Sequence, residues 1–376
     1  MPELLRPIEI IRPKTIMLGS GTVAAVAPWV RSHGFTRPLV ISDVFFADRI
    51  DMLGLPGRVA AFSAVKREPE IADLEAGLAA AAAARPDVIV GFGGGSTMDL
   101  AKLVAALHGT GQTIHDVAGV ELVHGRSIAL IQVATTSGTG SEASNRALIT
   151  DPVTHNKLVA NSNHLQADLA VVDPDLTLTV PPRVTAATGV DALAHCVEAY
   201  TNRLAHPYID MYAVEGIRLI GRYLPRAIAN GDDREARAGL SLASLYGGFC
   251  LGPVNTAAGH ALAYPLGTRR HVAHGASNAL MFPHVLAFNA PAVPQQTAAI
   301  LAALGLAAPV EQRAVFEAAY GYCHGLGIEM RMSRLGVLEG DLGVMADEAH
   351  AIRRLLDNNP REISRDEILD IYRAAF

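Results

Sequence analysis

The chain has 376 residues, half of them apolar and only 18% charged, which excludes a disordered protein and allows a large core divided between two domains. Its formal charge of −6 comes from interspersed acids and bases without a run of Lys or Arg, so no electrostatic footprint for nucleic acid or an anionic membrane is present and small molecules are the expected partners. The opening MPELLRPIEIIRPK lacks a basic region followed by an apolar stretch and a small-residue cleavage site; no export signal is read, and the cytoplasm is the expected location.

From Pro7 to about Pro181, short β-branched runs alternate with helical stretches, the pattern of βαβ units on a parallel sheet. PLVISD (38–43) reads as a buried strand closed by Asp43. A carboxylate there can accept hydrogen bonds from an adenosine ribose and repel a 2′-phosphate, which favours NAD over NADP; an Asp after a strand can equally serve only the turn. Residues 70–84, Ala-rich and opening with acids, predict a crossover helix ended by Arg85-Pro86.

DVIVGFGGG (87–95) is a second buried strand, running into Gly93-Gly94-Gly95-Ser96 and a helix with Asp99 and Lys102 in its first turns. Glycines there let the backbone approach a pyrophosphate, whose charge the free N–H groups of a helix start would stabilise. The turn matches neither G-x-G-x-x-G nor a Walker A loop, and tight packing alone can also require glycine. SIALIQVAT (127–135) is a third strand, followed by a hydroxyl- and glycine-rich turn from Thr135 to Glu142. Turns of this kind line the ligand crevice at the carboxyl ends of parallel strands. LAVVDP (169–174) is a fourth strand.

Beyond Val180-Pro181-Pro182, strand-like runs become rare and apolar residues recur at helical spacing. A boundary near residue 180 is expected, between an α/β nucleotide-binding domain (1–180) and an all-α domain (181–376), with helices around 184–202, 207–230 and 233–262 and several beyond 290. Gly239–Gly267 carries no charged residue over 29 positions, yet its six glycines and two prolines suit a buried bundle helix better than a membrane span. Cys196, Cys250 and Cys323 stand far apart without a CxxC pair, which argues against a disulfide framework and a thiolate zinc site.

Helical spacing puts Asp191 and His195 on one face of one helix. His260 and His274 follow, separated by a Pro-Leu-Gly break that lets the chain turn back. One carboxylate and three imidazoles suit Fe²⁺ or Zn²⁺ with a position left for substrate. A buried His can also be satisfied by a backbone carbonyl, and with 14 histidines some lie together by accident, so spacing alone leaves both readings open. His206 and His284 are less suited, and His271 is kept as an outer or proton-relay group.

GGGSTMDLAK (93–102), TTSGTGSE (135–142), VVDPDLT (171–177), DALAHCVEAY (191–200) and GHALAYPLG…HG…NALMFPHVLAFN (259–289) resemble, in that order, the iron-containing or group III alcohol dehydrogenase family. The resemblance runs over nearly the whole chain. It implies a dehydroquinate synthase-like fold, with the active site in the cleft between a nucleotide-binding α/β domain and a helical domain. It further implies Asp191, His195, His260 and His274 as ligands of iron, or alternatively zinc. The NAD diphosphate would lie on Gly94, Gly95 and Ser96, where Asp99 opens the same helix, with Thr135, Thr136 and Thr139 along the nicotinamide and Lys157 nearby. The implied activity interconverts a small primary alcohol or hydroxy acid and its aldehyde or semialdehyde, in a homodimer or larger homo-oligomer.

Departures fall near the expected substrate. Tyr264 stands where members often carry a second histidine after the third ligand, so the proton path is expected through Tyr264, His271 or water. Ala273 replaces a usual proline, and the approach to His260 reads Pro253-Val254-Asn255-Thr256-Ala257. In the TRRH stretch (268–271), Arg269 or Arg270 facing the cleft would clamp a substrate carboxylate; solvated or interface arginines are the favoured reading. Maleylacetate reductases typically lack the metal-binding Asp, so Asp191 argues for the metal-dependent branch. A dehydroquinate synthase-like lyase should show a Glu among the ligands.

Overall fold

A computed structural model describes residues 3–154, 156–307 and 309–376. The chain divides into two compact units. One comprises Ile10–Thr136 and Gly140–Leu178; the other comprises Thr179–Phe376 with Ser137–Thr139 and a short N-terminal piece ending at Glu9.

The first unit contains, in chain order, β1 (Thr15–Leu18), α1 (Val26–Ser32), β2 (Pro38–Asp43), β3 (Ala60–Val65), α2 (Ile71–Ala84), β4 (Val88–Gly93) and α3 (Gly95–Leu107). It continues with α4 (Ile114–Val117), β5 (Gly119–Val120), β6 (Ala129–Ala134), β7 (Arg146–Asp151), β8 (Asn156–Asn161) and β9 (Leu169–Val172). Six strands form one sheet in the order β1-β9-β6-β4-β2-β3, every neighbouring pair parallel.

The central strands are apolar runs because both sheet faces are covered. Leu39 and Ile41 of β2 enter the core shared with Leu74 of α2 and Leu100 and Leu103 of α3. Their neighbour Val40 turns the other way, joining Val88, Val90, Phe92 and the α1 residues Val26 and Val30. Helix α2 starts with a capping box between Glu70 and Asp73 and stops at Arg85, whose φ of 47° the following Pro86 does not let return to a helix. The four expected strands are present as β2, β4, β6 and β9. Edge strands β1 and β3 escaped the sequence reading because they are short and mostly half-exposed. A second sheet, β5-β8-β7, was also unforeseen, since the β7–β8 hairpin is polar at its ends.

The second unit is helical: α5 (Pro182–Tyr200), α6 (Pro207–Ala229), α7 (Arg234–Leu251), α8 (Ala258–Arg270), α9 (His274–Asn289), α10 (Pro294–Ala303), α11 (Gln312–Gly325), α12 (Leu342–Ala351), α13 (Arg353–Leu356) and α14 (Arg365–Ala375). Helix α6 buries Ile209, Ala213, Gly216, Ile217, Ile220 and Leu224, one stripe at a period near 3.6. It lies close to α5: a Cβ on Gly216 would stand 2.6 Å from Cys196 Sγ.

The helix expected over 233–262 is in fact two. Gly252-Pro253 interrupts it, and Asn255 takes a φ of 83°, a left-handed conformation that a continuing helix does not permit. The charge-free stretch 239–267 is thus split between α7 and α8, and no helix among the described residues is long and apolar enough to cross a membrane. Cys196, Cys250 and Cys323 are all buried.

Candidate metal centre and dinucleotide turns

Four donor side chains converge within the helical unit. Asp191 and His195 project from successive turns of α5, His260 comes from the first turn of α8, and His274 opens α9. One oxygen or nitrogen from each lies within 4.8 Å of the others. His260 Nε2 and His274 Nε2 stand 3.7 and 3.6 Å from the same oxygen, Asp191 Oδ1. The His195 and His260 rings stack at 4.7 Å. Three of the four are buried, while the His274 side chain keeps 30% exposure, so the set opens on the His274 side.

Two further side chains orient the four donors. Glu198, one turn beyond His195 and 6% exposed, accepts the His260 Nδ1 proton at 2.7 Å. Its other oxygen accepts the backbone N–H groups of Ala257 and His260, capping the start of α8. A Cβ on Gly259 would meet Glu198 Oε1 at 2.5 Å, so glycine is needed where the carboxylate passes. With its proton held on Nδ1, His260 turns the Nε2 lone pair toward Asp191, the outer-carboxylate arrangement typical of metal-binding histidines. The Asn278 amide, one turn after His274, reaches Asp191 Oδ1 at 2.6 Å and the Nε2 atoms of His260 and His274 at 3.1 and 3.2 Å.

Burial raises the proton affinity of Asp191, but the imidazoles of His274, His195 and His260 and the Asn278 amide outweigh it and hold the carboxyl below its ordinary range. Burial pushes His195 down to about 4, leaving it neutral at pH 7. At His260 burial acts the same way, yet Glu198 and then Asp191 overcome it and raise the ring's proton affinity. The donors fit a divalent ion of the iron or zinc type: one anionic oxygen and three imidazoles lie within reach of one point, His260 is fixed as a lone-pair donor, and the buried His195 Nδ1 has no hydrogen-bond partner among the described residues.

Tyr264 and His271 part company. Tyr264 is buried, its ring 5.9 Å from that of His274. His271 is the exposed left-handed cap of α8, with φ 54°. Arg269 forms a two-point pair with Glu348 and Arg270 pairs with Asp341, so neither guanidinium is available as a substrate clamp.

In the α/β unit, Asp43, Gly93 and Ala134 end the adjacent strands β2, β4 and β6, which brings three turns together at one carboxyl edge. Strand β3 pairs on one side of β2 and β4 on the other, so the chain reverses its direction of growth there, the crevice where such sheets hold nucleotides. Gly94 is the extended N-cap of α3, and Gly95 and Ser96 form its first turn. A Cβ on Gly93 would strike Thr97 at 2.6 Å, and one on Gly94 would come within 3.2 Å of Thr136 Oγ1. Glycine is therefore required by close packing at 93 and tightly fitted at 94. Thr135 is buried, and its N–H bonds to Gly93 O at 3.0 Å.

Other candidate residues have structural partners. Asp43 Oδ1 accepts the N–H groups of Phe45 and Phe46 at 2.9 and 3.1 Å, an Asx turn. The Ser96 hydroxyl donates to Arg67 O. Asp99 accepts Ser141 Oγ at 2.6 Å and Leu148 N–H at 3.0 Å, beside the buried Lys102. Lys157 on β8 pairs with Glu68 and donates to Thr150 Oγ1 at 2.8 Å. Thr139, half-buried, belongs to the short piece that clusters with the helical unit, where a Cβ on Gly138 would meet Thr188 at 2.7 Å.

An α/β unit with glycine turns at its carboxyl edge, in one chain with a carboxylate and three imidazoles gathered in a helical unit, defines a metal-dependent, nucleotide-linked oxidoreductase. The model of the iron-containing alcohol dehydrogenase matches residues 13–174, and that of the Fe-containing alcohol dehydrogenase family, C-terminal, matches residues 185–376. The chain is 36% identical to long-chain-alcohol dehydrogenase 1 of Geobacillus thermodenitrificans, across 98% of this chain and 96% of that one. It is 31% identical to the NAD-dependent methanol dehydrogenase of Bacillus methanolicus, across 96% of this chain and 98% of the relative. The solved structure of a 1,3-propanediol oxidoreductase superposes with a TM-score of 0.93 at 30% identity, covering 99% of this chain and all of that one. The chain belongs to the iron-containing alcohol dehydrogenase family, and it is an NAD-linked oxidoreductase with iron and NAD as cofactors.

Proposed function

We propose that the chain interconverts a small primary alcohol or hydroxy acid and its aldehyde or semialdehyde, with Asp191, His195, His260 and His274 holding the ion. The dinucleotide is assigned to the turns at Gly94-Gly95-Ser96 and Thr135-Thr136, with Asp43 toward the adenosine ribose. The observation that carries the reading is the convergence of four donors within 4.8 Å, with the His260 tautomer set by Glu198. A divalent ion held there would supply Lewis acidity favouring negative charge on a substrate oxygen, and NAD held at the glycine turns would supply the hydride-accepting chemistry.

The protein's own groups prepare that chemistry. Asp191 stays ionised among three imidazoles and supplies the one anionic donor. Glu198 keeps the His260 proton on Nδ1, away from the cluster. Burial of three ligands excludes water from all but the His274 side, where substrate is admitted. Of the two proton-carrying candidates Tyr264 is favoured over His271, because its ring packs on His274. The same reading includes a homo-oligomer located in the cytoplasm.

His260→Ala is expected to abolish both metal content, read by elemental analysis, and NAD-linked turnover of an alcohol panel, read at the NADH absorbance after anaerobic loading with Fe²⁺ or Zn²⁺. Turnover retained by metal-free protein would overturn the assignment.

A further inference from the structure

The rim of the metal centre carries one guanidinium whose neighbours do not neutralise it. Arg354 lies on α13, with its Cζ 5.5 Å from the centre of the Tyr264 ring. Tyr264 in turn packs on His274, the one ligand that keeps appreciable exposure. Other arginines of this region are matched: Arg269 with Glu348, Arg270 with Asp341, Arg353 with Asp357 and Arg361 with Glu367. No carboxylate among the described residues lies within salt-bridge distance of Arg354.

Its position is set by the fold. Leu355 and Leu356 anchor α13 by burial, and the Asn358 amide donates to Thr256 O at 3.0 Å, tying the end of α13 to the loop that leads into α8. The Arg354 side chain itself remains exposed.

We propose that Arg354 is a specificity-determining residue of this site and binds the carboxylate of a short ω-oxo or ω-hydroxy acid. An arginine over an aromatic face keeps in-plane N–H donors for two-point contact with a carboxylate, a geometry that no neutral alcohol can use. Tyr264, which departs from the expected histidine, supports that guanidinium at the open side of the ligand set. The substrate's reacting end lies toward His274 and its anionic end toward α13. This inference rests on the functional reading above and narrows its substrate class to the hydroxy acid and semialdehyde pair.

The test uses the full-length, metal-loaded protein with two aldehydes of equal chain length, 4-oxobutanoate and butanal. In Arg354→Gln the ratio of kcat/KM for 4-oxobutanoate to that for butanal is expected to fall on the order of 30-fold, chiefly through KM, with partial recovery in Arg354→Lys. An unchanged ratio, or a loss confined to the KM for NADH, overturns the proposal. Should the parent turn over neither aldehyde, the functional reading fails separately. Calorimetric binding of 4-hydroxybutanoate then still decides Arg354: binding weakened about tenfold or more in Arg354→Gln sustains the role, and equal binding in parent and variant overturns it.

Discussion

Glu198 shows how much one carboxylate can do when it is buried with its partners already in place. Its oxygens take a backbone N–H at the start of α8 and the Nδ1 proton of His260 together, so helix start and ligand tautomer share a single acceptor. In Glu198→Gln, which keeps the shape and removes the charge, affinity for Zn²⁺ or Co²⁺ is expected to weaken about 10- to 100-fold, measured by competition with a chromogenic chelator. Affinity equal to the parent's would mean that the contact serves only the helix. Residues of this kind are hard to find from sequence. Asp191 and His195 announce themselves by type and spacing, but an acid three positions further on reads as a solvated face. The signal was that 191, 195 and 198 form one polar stripe on the otherwise apolar stretch 189–199 of α5. For Arg269 and Arg270, only the fold reveals that Glu348 and Asp341 satisfy them.

At the scale of elements, legibility followed burial. Strands β2, β4, β6 and β9 could be read because an apolar run closed by a turn has few other uses, whereas β1, β3 and the β7–β8 hairpin depend on neighbours that the local pattern does not name. The α7–α8 break was hidden by continuous apolar spacing, although Gly252-Pro253 marked it. The turn after β6 also carries a junction unforeseen in the sequence. Lys102 of α3 is fully buried and donates to Ser141 Oγ at 2.8 Å and Arg146 O at 2.7 Å, while Asp99 receives Ser141 and Leu148. Glu142 is buried beside them with one oxygen unpartnered among the described residues, and burial pushes its carboxyl up to about 7 against its own backbone N–H and the pull of Lys102. A carboxyl bound more tightly to its proton when folded makes stability fall as pH rises from the unfolded value near 4.5 through about 7. Glu142→Gln removes that dependence. Relative to the parent, the variant is expected to gain about 2–3 kcal/mol in urea unfolding between pH 5 and pH 8. An identical pH dependence in both proteins would show that Glu142 stays ionised in the fold.

On the scale of the whole molecule, all four proposed metal donors come from the helical unit, on α5, α8 and α9, which are far apart in sequence. An ion that binds only when these helices are assembled must stabilise them by mass action, by about 4 kcal/mol at a thousandfold excess over its dissociation constant. Calorimetric scans of chelated and reloaded protein should therefore differ by several degrees. Superimposable scans would mean that the four side chains do not hold the ion together.

The Glu198–Gly259–His260 contact also restricts the order in which this sequence can change. A side chain at 259 collides with Glu198, loss of Glu198 releases the proton that sets His260, and loss of His260 leaves a buried carboxylate facing no donor ring. None of the three positions can drift first without harm to the other two. A lineage that abandoned the ion would be free to change all three at once, so this triplet should be retained or lost as a block among descendants of this chain.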